Sequence, residues 1–468
     1  MPVPNYTNFA QHPKRVHFIG ISGIGMGALA QLCLDHGWAV QGTTLSPNKM
    51  TQTLVAQGAS IALYHGAEHI DQSVDCVVYT SAIPDTNPEL QAARSANIPV
   101  MHRSTLLRAF VEPLRTVAIS GTHGKTTTTS LLGHVLYTAN KAPLILSGGM
   151  MVSWDSPVYS GKGSIAIVEA DESDHSHVNF ASLYGAIITN IDGDHMENYG
   201  GSLDNLWKSF QKFFQLTTDF AVACSDAIDR DNPWFNDMAC PITWYGTGKD
   251  CDFSAHNIGV TPSGMHFDCH TRTEKWENVH LNLWGHHNVL NSLAIIAACA
   301  HMGISQADIR KGLASFPGVS RRLTQVGMRA GVPIIDDYAH HPREISAVLS
   351  TLNQRGYRRI LAVCQPHRYT RLRDTMDEFA TCFHHADTVV LLPVYSAGEL
   401  PIPGATSKDL GKKLMALGHR VSLIDERDSP KGSIIAIMEK AGWDVAIFLG
   451  AGDISQLAYS LAEHQSIE

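Results

Sequence analysis

The sequence predicts an α/β protein of three consecutive domains with mostly parallel sheets. Three observations point there. Short apolar runs alternate with helix-length amphipathic stretches along the whole chain, and strands covered by helices on both faces read as such continuous apolar runs. Several runs end directly in glycine, serine or acidic clusters, just beyond the strand carboxyl ends where α/β folds place ligands. The chain has 468 residues, and at ~100–200 residues per domain that calls for two to four domains.

The expected strands are Val16–Ile19, Cys76–Tyr79, Thr116–Ile119, Ile165–Val168, Ala186–Thr189, Ile360–Val363, Thr388–Leu392 and Val445–Leu449. One break falls near Glu112–Leu114. A second falls near Phe316–Leu323, where Pro317 and Gly318 precede paired arginines. The expected domains are therefore 1–113, 114–323 and 324–468. Between Asp219 and Leu283 the pattern turns to short strand-like pieces punctuated by Gly and Pro, a β-rich excursion within the middle domain.

Composition narrows the function classes. Hydrophobic residues at 44% and charged residues at 17% suit a folded chain and not a disordered one. A net charge of −9 supplies no general basic field for nucleic acid, though a local basic site is compatible with it. No run of ~18 apolar residues occurs, so no membrane span is expected. The polar stretch Met1–Arg15 lacks the apolar core of a signal peptide. The nine cysteines are scattered without a Cys-x-x-Cys pair, which suits reduced thiols in a cytoplasmic protein.

The first strand leads into Gly20-Ile21-Ser22-Gly23-Ile24-Gly25-Met26-Gly27 and then an apolar helix. This reads as a loop for a dinucleotide or a nucleotide diphosphate. A nicotinamide enzyme should carry an acid at the end of the next strand, and that place reads Gly42-Thr43-Thr44. A UDP-type diphosphate is at least as good a guess as NAD.

The most informative stretch is Ile119-Ser120-Gly121-Thr122-His123-Gly124-Lys125-Thr126-Thr127. A strand feeds a glycine turn, then Lys-Thr-Thr opens a helix. Glycines let backbone N–H groups curl around phosphate oxygens, and the helix N-terminus adds partial positive charge. Lys125 would reach the terminal phosphates and the Thr126 hydroxyl a magnesium ion. Only two residues separate Gly121 and Gly124, fewer than in the common phosphate loop. A glycine turn with an exposed lysine is the bland alternative.

Two acidic clusters follow strands in the same portion, Glu169-Ala170-Asp171-Glu172-Ser173-Asp174 and Asn190-Ile191-Asp192-Gly193-Asp194-His195. Magnesium takes oxygen ligands, usually one or two carboxylates beside phosphate and water. Most such acids are solvated loop charges. Glu169 and His195 stand out at strand ends downstream of a phosphate loop, and His195 is as readily a structural histidine as a ligand. Asn288 and Asn291 lie three apart, on one helix face. They fit recognition of a base or capping of the helix start. Asp336–Pro342 and Gln365–Arg371 follow apolar runs. Arg368 and Arg371, three apart, present forks to a carboxylate or phosphate, or form a solvated basic face.

Together these stretches resemble the Mur ligases, and the likeness covers nearly the whole chain. They stand in family order: GISGIGM at 20–26, GTHGKTTTT at 121–129, EADESD at 169–174, NIDGDHM at 190–196, HHNVLN at 286–291, GVSRR at 318–322, DDYAHHP at 336–342 and QPHRYTR at 365–371. EADESD, DDYAHHP and PHRYTR are most similar to the branch of the family that adds L-alanine to UDP-N-acetylmuramate. The resemblance implies a Rossmann-like N-terminal domain that binds the UDP-sugar, a P-loop-type central ATPase domain, and a Rossmann-like C-terminal domain that binds the amino acid. It implies a reaction in which ATP phosphorylates the lactyl carboxylate and the amine of L-alanine attacks the acyl phosphate. A sister activity that attaches a ready-made tripeptide shares the nucleotide motifs. A dinucleotide-dependent oxidoreductase is the reading from another class.

Carried over by position, the resemblance makes Gly121, Thr122, His123, Gly124, Lys125, Thr126 and Thr127 the phosphate contacts. Asn288 and Asn291 would flank the adenine, and Arg322 and Asp337 would touch the nucleotide. Ser22, Gly23, Ile24 and Gly25 would lie against the UDP diphosphate. Tyr338, His340, Arg368 and Arg371 would form the L-alanine pocket. Lys125, Glu169, His195, His340 and Arg371 would carry the chemistry. Thr126, Glu169 and His195 would hold two magnesium ions, with manganese as an alternative. The sequence departs from the family pattern at Thr44, where an acid is frequent, and in Met150–Asp155, expected as a loop without the usual Gly and Asn. Neither Lys208 nor Lys212 matches the carbamylated lysine of some members.

Overall fold

A computed structural model describes residues 14–193, 196–235, 238–425, 429–440 and 442–462. The chain forms two compact units, 1–259 with 266–283 and 288–318, and 260–265 with 284–287 and 319–468.

The first unit contains two sheets. The N-terminal sheet has the order Ser60–Ala62, Ala39–Thr43, Arg15–Ile19, Cys76–Tyr79, Val100–His102, and every pair is parallel. The chain winds outward from Arg15–Ile19 in one direction, then returns to build the other side. That reversal opens a crevice at the carboxyl ends of Arg15–Ile19 and Cys76–Tyr79, and the first glycine stretch issues there.

The second sheet has ten strands, ordered Lys275–Leu281, Gly264–Thr271, Phe253–Thr261, Ile242–Gly246, Thr217–Cys224, Leu183–Ile188, Arg115–Ser120, Ile165–Glu169, Leu144–Met151, Ser156–Ser160. Neighbours from Phe253–Thr261 through Leu144–Met151 run parallel, and Ser156–Ser160 is antiparallel. The strands between Thr217 and Leu281 are the β-rich excursion. Arg115–Ser120 lies between the strands that precede the two acidic clusters. Its register pairs Ile119 with Glu169 and Ser120 with Ile188, so both clusters emerge beside the phosphate loop. Val117, Ala118, Ile119, Ile167 and Ile187 are fully buried, as strands with both faces covered must be. The helix Lys125–Thr138 packs closely over this sheet because Gly133 has no side chain; a Cβ there would stand 2.6 Å from Ile145 Cδ1.

The second unit carries a sheet ordered Thr324–Arg329, Val332–Asp337, Val445–Leu449, Ile360–Cys364, Thr388–Leu391, Val421–Leu423. Its first pair is antiparallel and the rest parallel. Asp336–Asp337 and Gln365 thus reach the same edge, flanking Leu449–Gly450.

Two expectations need correction. The strand expected at Ala186–Thr189 starts at Leu183. Gly185 interrupts the apolar run because Phe220 lies across it, where a Cβ would meet Phe220 Cζ at 2.1 Å. Met150 and Met151, expected in a loop, end the strand Leu144–Met151, and the turn spans 152–155 with Asp155 at φ 47°.

Candidate functional site

The phosphate loop owes its shape to two glycines and to the strand beside it. Gly121 has φ 128° and Gly124 φ 84°, conformations that side chains resist. A Cβ on Gly121 would lie 2.2 Å from Thr189 Oγ1 and 2.9 Å from the Asn190 carbonyl oxygen. Asn190 grips the loop: its Oδ1 accepts from the His123 N–H at 2.8 Å, and its Nδ2 donates to the His123 carbonyl at 2.9 Å. Thr189 Oγ1 donates to the same carbonyl at 2.6 Å, and the Asp192 N–H donates to Thr122 Oγ1 at 2.8 Å. The neighbouring strand end thus helps to pre-shape the loop.

Lys125 opens the helix. Its Nζ donates to the carbonyls of Gly121 (2.7 Å) and Thr122 (3.2 Å) and pairs with Glu172 Oε2 at 2.8 Å. Burial opposes its charge, but Glu172, Asp171 and Glu169 outweigh burial and hold the ammonium above its ordinary value. Burial raises Glu172 to about 7. Lys125 is therefore no exposed lysine on a glycine turn.

Thr126 Oγ1 donates to Glu169 Oε1 at 3.1 Å, and the Gly148 N–H donates to Glu169 Oε2 at 2.7 Å. Burial raises Glu169. The hydroxyl and carboxylate oxygens converge at the loop mouth, a donor set suited to a hard divalent ion. His195 lies outside the described residues. Among the described residues no group of three or more His, Cys, Asp or Glu side chains gathers as a metal site. Thr127 continues the helix, and Asn288 and Asn291 lie in the helix His286–His301 rather than at its cap. They are buried, and Asn291 Nδ2 donates to Asn288 Oδ1 at 3.1 Å. Asn291 Oδ1 lies 3.1 Å from where a Gly124 Cβ would stand, so this face abuts the loop.

The first glycine stretch is likewise braced. Gly20 N–H and Ile21 N–H donate to the Thr43 carbonyl at 2.9 and 3.0 Å, and Asn48 Nδ2 donates to the Ser22 carbonyl at 2.9 Å. Ser22 Oγ and Thr44 Oγ1 share a hydrogen bond of 2.6 Å. A hydroxyl thus closes the position where a nicotinamide enzyme would present an acid. Gly23 precedes the helix Ile24–Asp35 and makes no side-chain cap, which leaves Ile24 and Gly25 as its first turn.

In the second unit, Asp337 is buried and braces a tight loop: Oδ2 accepts from Leu323 N–H at 2.7 Å and Oδ1 from Ala339 N–H at 2.8 Å. Burial raises it to about 6. The Arg322 guanidinium lies 5.4 Å from the Tyr338 ring centre. Arg321 donates to the Gly450 carbonyl at 2.6 Å and is a fixture of the fold. His340 Nδ1 faces the Tyr338 carbonyl at 3.0 Å, and the His340 and His367 rings stand 5.6 Å apart. Burial, with His340, Arg371 and Arg368, lowers His367 to about 3. Neutral His367 Nδ1 then accepts from Arg371 Nη1 at 3.4 Å. Arg368 sits at φ 68°, an unusual value for a residue with a side chain. The structure therefore brings Tyr338, His340, Arg368 and Arg371 to one edge of this sheet.

The sequence reading missed Glu172 as the partner of Lys125, Asn190 as the clamp on His123, and Arg103. Glu172 and Asn190 stand inside motifs already singled out, so their strand-end position was the available signal. Arg103 stands in no motif. It reaches Asp174 Oδ2 at 2.7 Å and Asp171 Oδ2 at 3.3 Å.

Comparison with known proteins matches three family models in order along the chain. They are described as Mur ligase family, catalytic domain (residues 15–114), Mur ligase middle domain (119–299) and Mur ligase, glutamate ligase domain (321–452). A UDP-N-acetylmuramate–L-alanine ligase of Maricaulis maris is 40% identical over 454 residues, covering 95% of this chain and 96% of its own. The chain belongs to the Mur ligase family. A protein of the same description from Paracoccus denitrificans is also 40% identical, over 96% of both chains. Among solved structures, a UDP-N-acetylmuramate–alanine ligase of Thermotoga maritima superposes with a TM-score of 0.82 at 29% identity, covering 96% of this chain and 98% of that one. A murein peptide ligase of Psychrobacter arcticus shares the fold, with a TM-score of 0.70 at 21% identity. The three-domain α/β architecture expected from the motifs is that of the family. Within the first unit, the N-terminal sheet belongs to the first family model and the ten-stranded sheet to the second. No helix among the described residues is long and apolar enough to cross a membrane.

Proposed function

We propose that this Mur ligase joins L-alanine to the lactyl carboxylate of UDP-N-acetylmuramate at the expense of ATP, as a cytoplasmic step of peptidoglycan precursor synthesis. The observation that carries the reading is the meeting of Lys125, the Gly121–Gly124 turn and the Thr126–Glu169 oxygen pair at one strand end. Residues 1–113 take the UDP-sugar, 114–323 take ATP and 324–468 take the amino acid.

A carboxylate is a poor electrophile, so it must first be activated. Backbone N–H groups of Thr122–Lys125 surround the ATP phosphates, and Lys125 exchanges its loop carbonyls for the terminal phosphate oxygens. Thr126 would hold one magnesium ion and Glu169 with His195 a second. Bound there, such ions would offset charge on the phosphoryl group during transfer. Asn288 and Asn291 flank the adenine, with Arg322 and Asp337 on the nucleotide. Ser22–Gly25 seat the UDP diphosphate. Arg368 and Arg371 bind the carboxylate of L-alanine, and Tyr338 packs against it. With Nδ1–H donated to the Tyr338 carbonyl, His340 presents a basic Nε2 that takes a proton from the attacking amine. The lactyl carboxylate oxygen attacks the γ-phosphorus of ATP, and the bond to the β,γ-bridging oxygen breaks to release ADP; the amine then adds to the acyl phosphate carbonyl, the C–O bond to phosphate breaks, and amide and phosphate result.

The test is ATP-dependent phosphate release with UDP-N-acetylmuramate and L-alanine, with product mass measured. A product heavier than the UDP-sugar by one alanyl residue is expected. Turnover only with a preformed tripeptide rejects this choice of amine. Tight NADPH binding without ligation rejects the ligase reading altogether.

A further inference from the structure

Arg103 opens the helix Arg103–Val111 directly after the strand Val100–His102, at the carboxyl edge of the N-terminal sheet. That is the edge from which the Gly20–Gly27 stretch issues. The side chain is 21% exposed, so it is neither free on the surface nor sealed in the core. Among the described residues its hydrogen bonds all come from Nη2: 2.7 Å to Asp174 Oδ2, 3.3 Å to Asp171 Oδ2 and 3.5 Å to Ser176 Oγ. Among the described residues Nε and Nη1 have no hydrogen-bond partner. A guanidinium tied to a carboxylate frequently sets its two-nitrogen fork against it. Here one nitrogen is shared by two carboxylates, and the remaining donors face elsewhere.

Where they face is given by Gly25. Nη1 lies 3.4 Å from the position a Cβ on Gly25 would occupy. The unspent edge of the guanidinium therefore overlies the first turn of the helix Ile24–Asp35. A diphosphate seated on Ser22–Gly25 would lie beside that edge, and its negative charge calls for a cationic donor as well as backbone N–H groups.

We infer that Arg103 is a binding residue for the diphosphate of the UDP-sugar: Nη1 and Nε contact it while Nη2 stays anchored on Asp171 and Asp174, tying the acceptor to the acidic cluster beside Lys125. The inference rests on the UDP-sugar reading of the first domain. It assigns a role to a residue outside every recognised motif. Arginine suits the task because its fork stays charged at any working pH and serves two partners at once.

The test uses the full chain and UDP itself as the probe, with uridine as the ligand lacking the diphosphate. Isothermal titration of wild type, Arg103→Lys and Arg103→Ala is compared, with melting temperature recorded for each. Wild type should bind UDP much more tightly than uridine. Arg103→Ala should lose tenfold or more for UDP and change little for uridine, and Arg103→Lys should fall between. A non-hydrolysable ATP analogue should bind all three within threefold. In ligation assays KM for UDP-N-acetylmuramate should rise while KM for ATP holds. Unchanged UDP affinity in Arg103→Ala overturns the inference, as does equal loss of UDP, uridine and the ATP analogue, which marks a purely structural role. Wild type that binds no UDP also overturns it. Wild type that binds UDP yet forms no alanyl product defeats the proposed reaction alone, and the Arg103 result stands.

Discussion

Replacing Lys125 by methionine separates two roles of one ammonium group. The side chain is 13% exposed and its partner Glu172 2%, at 2.8 Å. Removing one member of a buried pair commonly costs about 3–5 kcal/mol, because the other charge is stranded. Glu172 would face Asp171 and Glu169 with its nearest counter-charge gone, so the upper half of that range is expected at pH 8. The pH dependence has a definite sign. The folded pKa of Glu172, about 7, lies above its unfolded value. The native state therefore holds more protons than the unfolded state across this window, and stability falls as pH rises through it. In the variant the folded value moves higher still, so the penalty grows further above pH 7. Below about pH 6 both proteins carry a protonated Glu172, and that part of the gap closes. Activity should fall independently, by about 2.7–4 kcal/mol of transition-state stabilisation, or roughly a hundredfold to a thousandfold. Urea unfolding of the nucleotide-free chain at pH 8 and pH 5.5, with phosphate release at pH 8, reads both. A gap below about 1 kcal/mol at pH 8, or one equal at the two pH values, would refute the reasoning about the buried pair.

Three further outcomes are expected. Gly121→Ala should lose about 2–4 kcal/mol in denaturant unfolding and most ATP binding, because φ 128° is strained for alanine and the new methyl meets a carbonyl oxygen that cannot rotate away; a midpoint equal to wild type contradicts this. Glu89→Gln should cost about 2–4 kcal/mol near pH 7, since the fully buried carboxylate accepts from Thr43 Oγ1 at 2.8 Å and Gly66 N–H at 3.1 Å beside His17 and His65. Burial raises Glu89, but His17, Thr43 and Gly66 more than offset it and leave it below the usual range, so its contribution is present above pH 4.5 and lost as pH falls; a gap that widens in acid argues against this network. Thiol titration of the native chain should find one fast-reacting group, Cys251, with the other eight cysteines buried until denaturant is added; three or more fast thiols would contradict the packing.

The glycine–lysine turn was legible because its chemistry is local: a strand, two glycines that must leave the ordinary backbone region, and a helix start lie consecutively in the chain. The acidic clusters were legible as positions after strands, and their convergence was not, because it follows from the order in which strands assemble. Arg115–Ser120 sits between Ile165–Glu169 and Leu183–Ile188. That adjacency lets Asn190 clamp His123 and carries Glu172 to Lys125, across separations no periodicity reports. Gly185 hid part of a strand for a similar reason, since its missing side chain makes sense only once Phe220 is seen to cover it. Arg103 shows the limit most plainly. An isolated arginine at a strand–helix junction has no spacing to read, and its meaning lies in Gly25 and in Asp171 and Asp174, which come from two other places in the chain.

The balance of charge around the loop carries a last consequence. Glu169, Asp171, Glu172 and Asp174 face two cations, Lys125 and Arg103, so the protein brings an excess of negative charge to a site that must accept a polyphosphate. At an effective dielectric near 20, two like charges ~6 Å apart repel by about 2–3 kcal/mol. Lys125 is already engaged by Glu172, and turning it to phosphate releases that carboxylate uncompensated. Divalent ions should therefore strengthen nucleotide binding, and Glu169 carries part of the deficit: burial raises it, and a single hydroxyl and one backbone N–H are its hydrogen-bond donors. A non-hydrolysable ATP analogue should bind at least a hundredfold more weakly in excess chelator than in millimolar magnesium, about 2.8 kcal/mol. Glu169→Gln should shrink that ratio by removing part of the repulsion, while abolishing turnover. Equal affinity with and without magnesium would mean that Lys125 alone balances the phosphates, and the acidic cluster would then need another explanation.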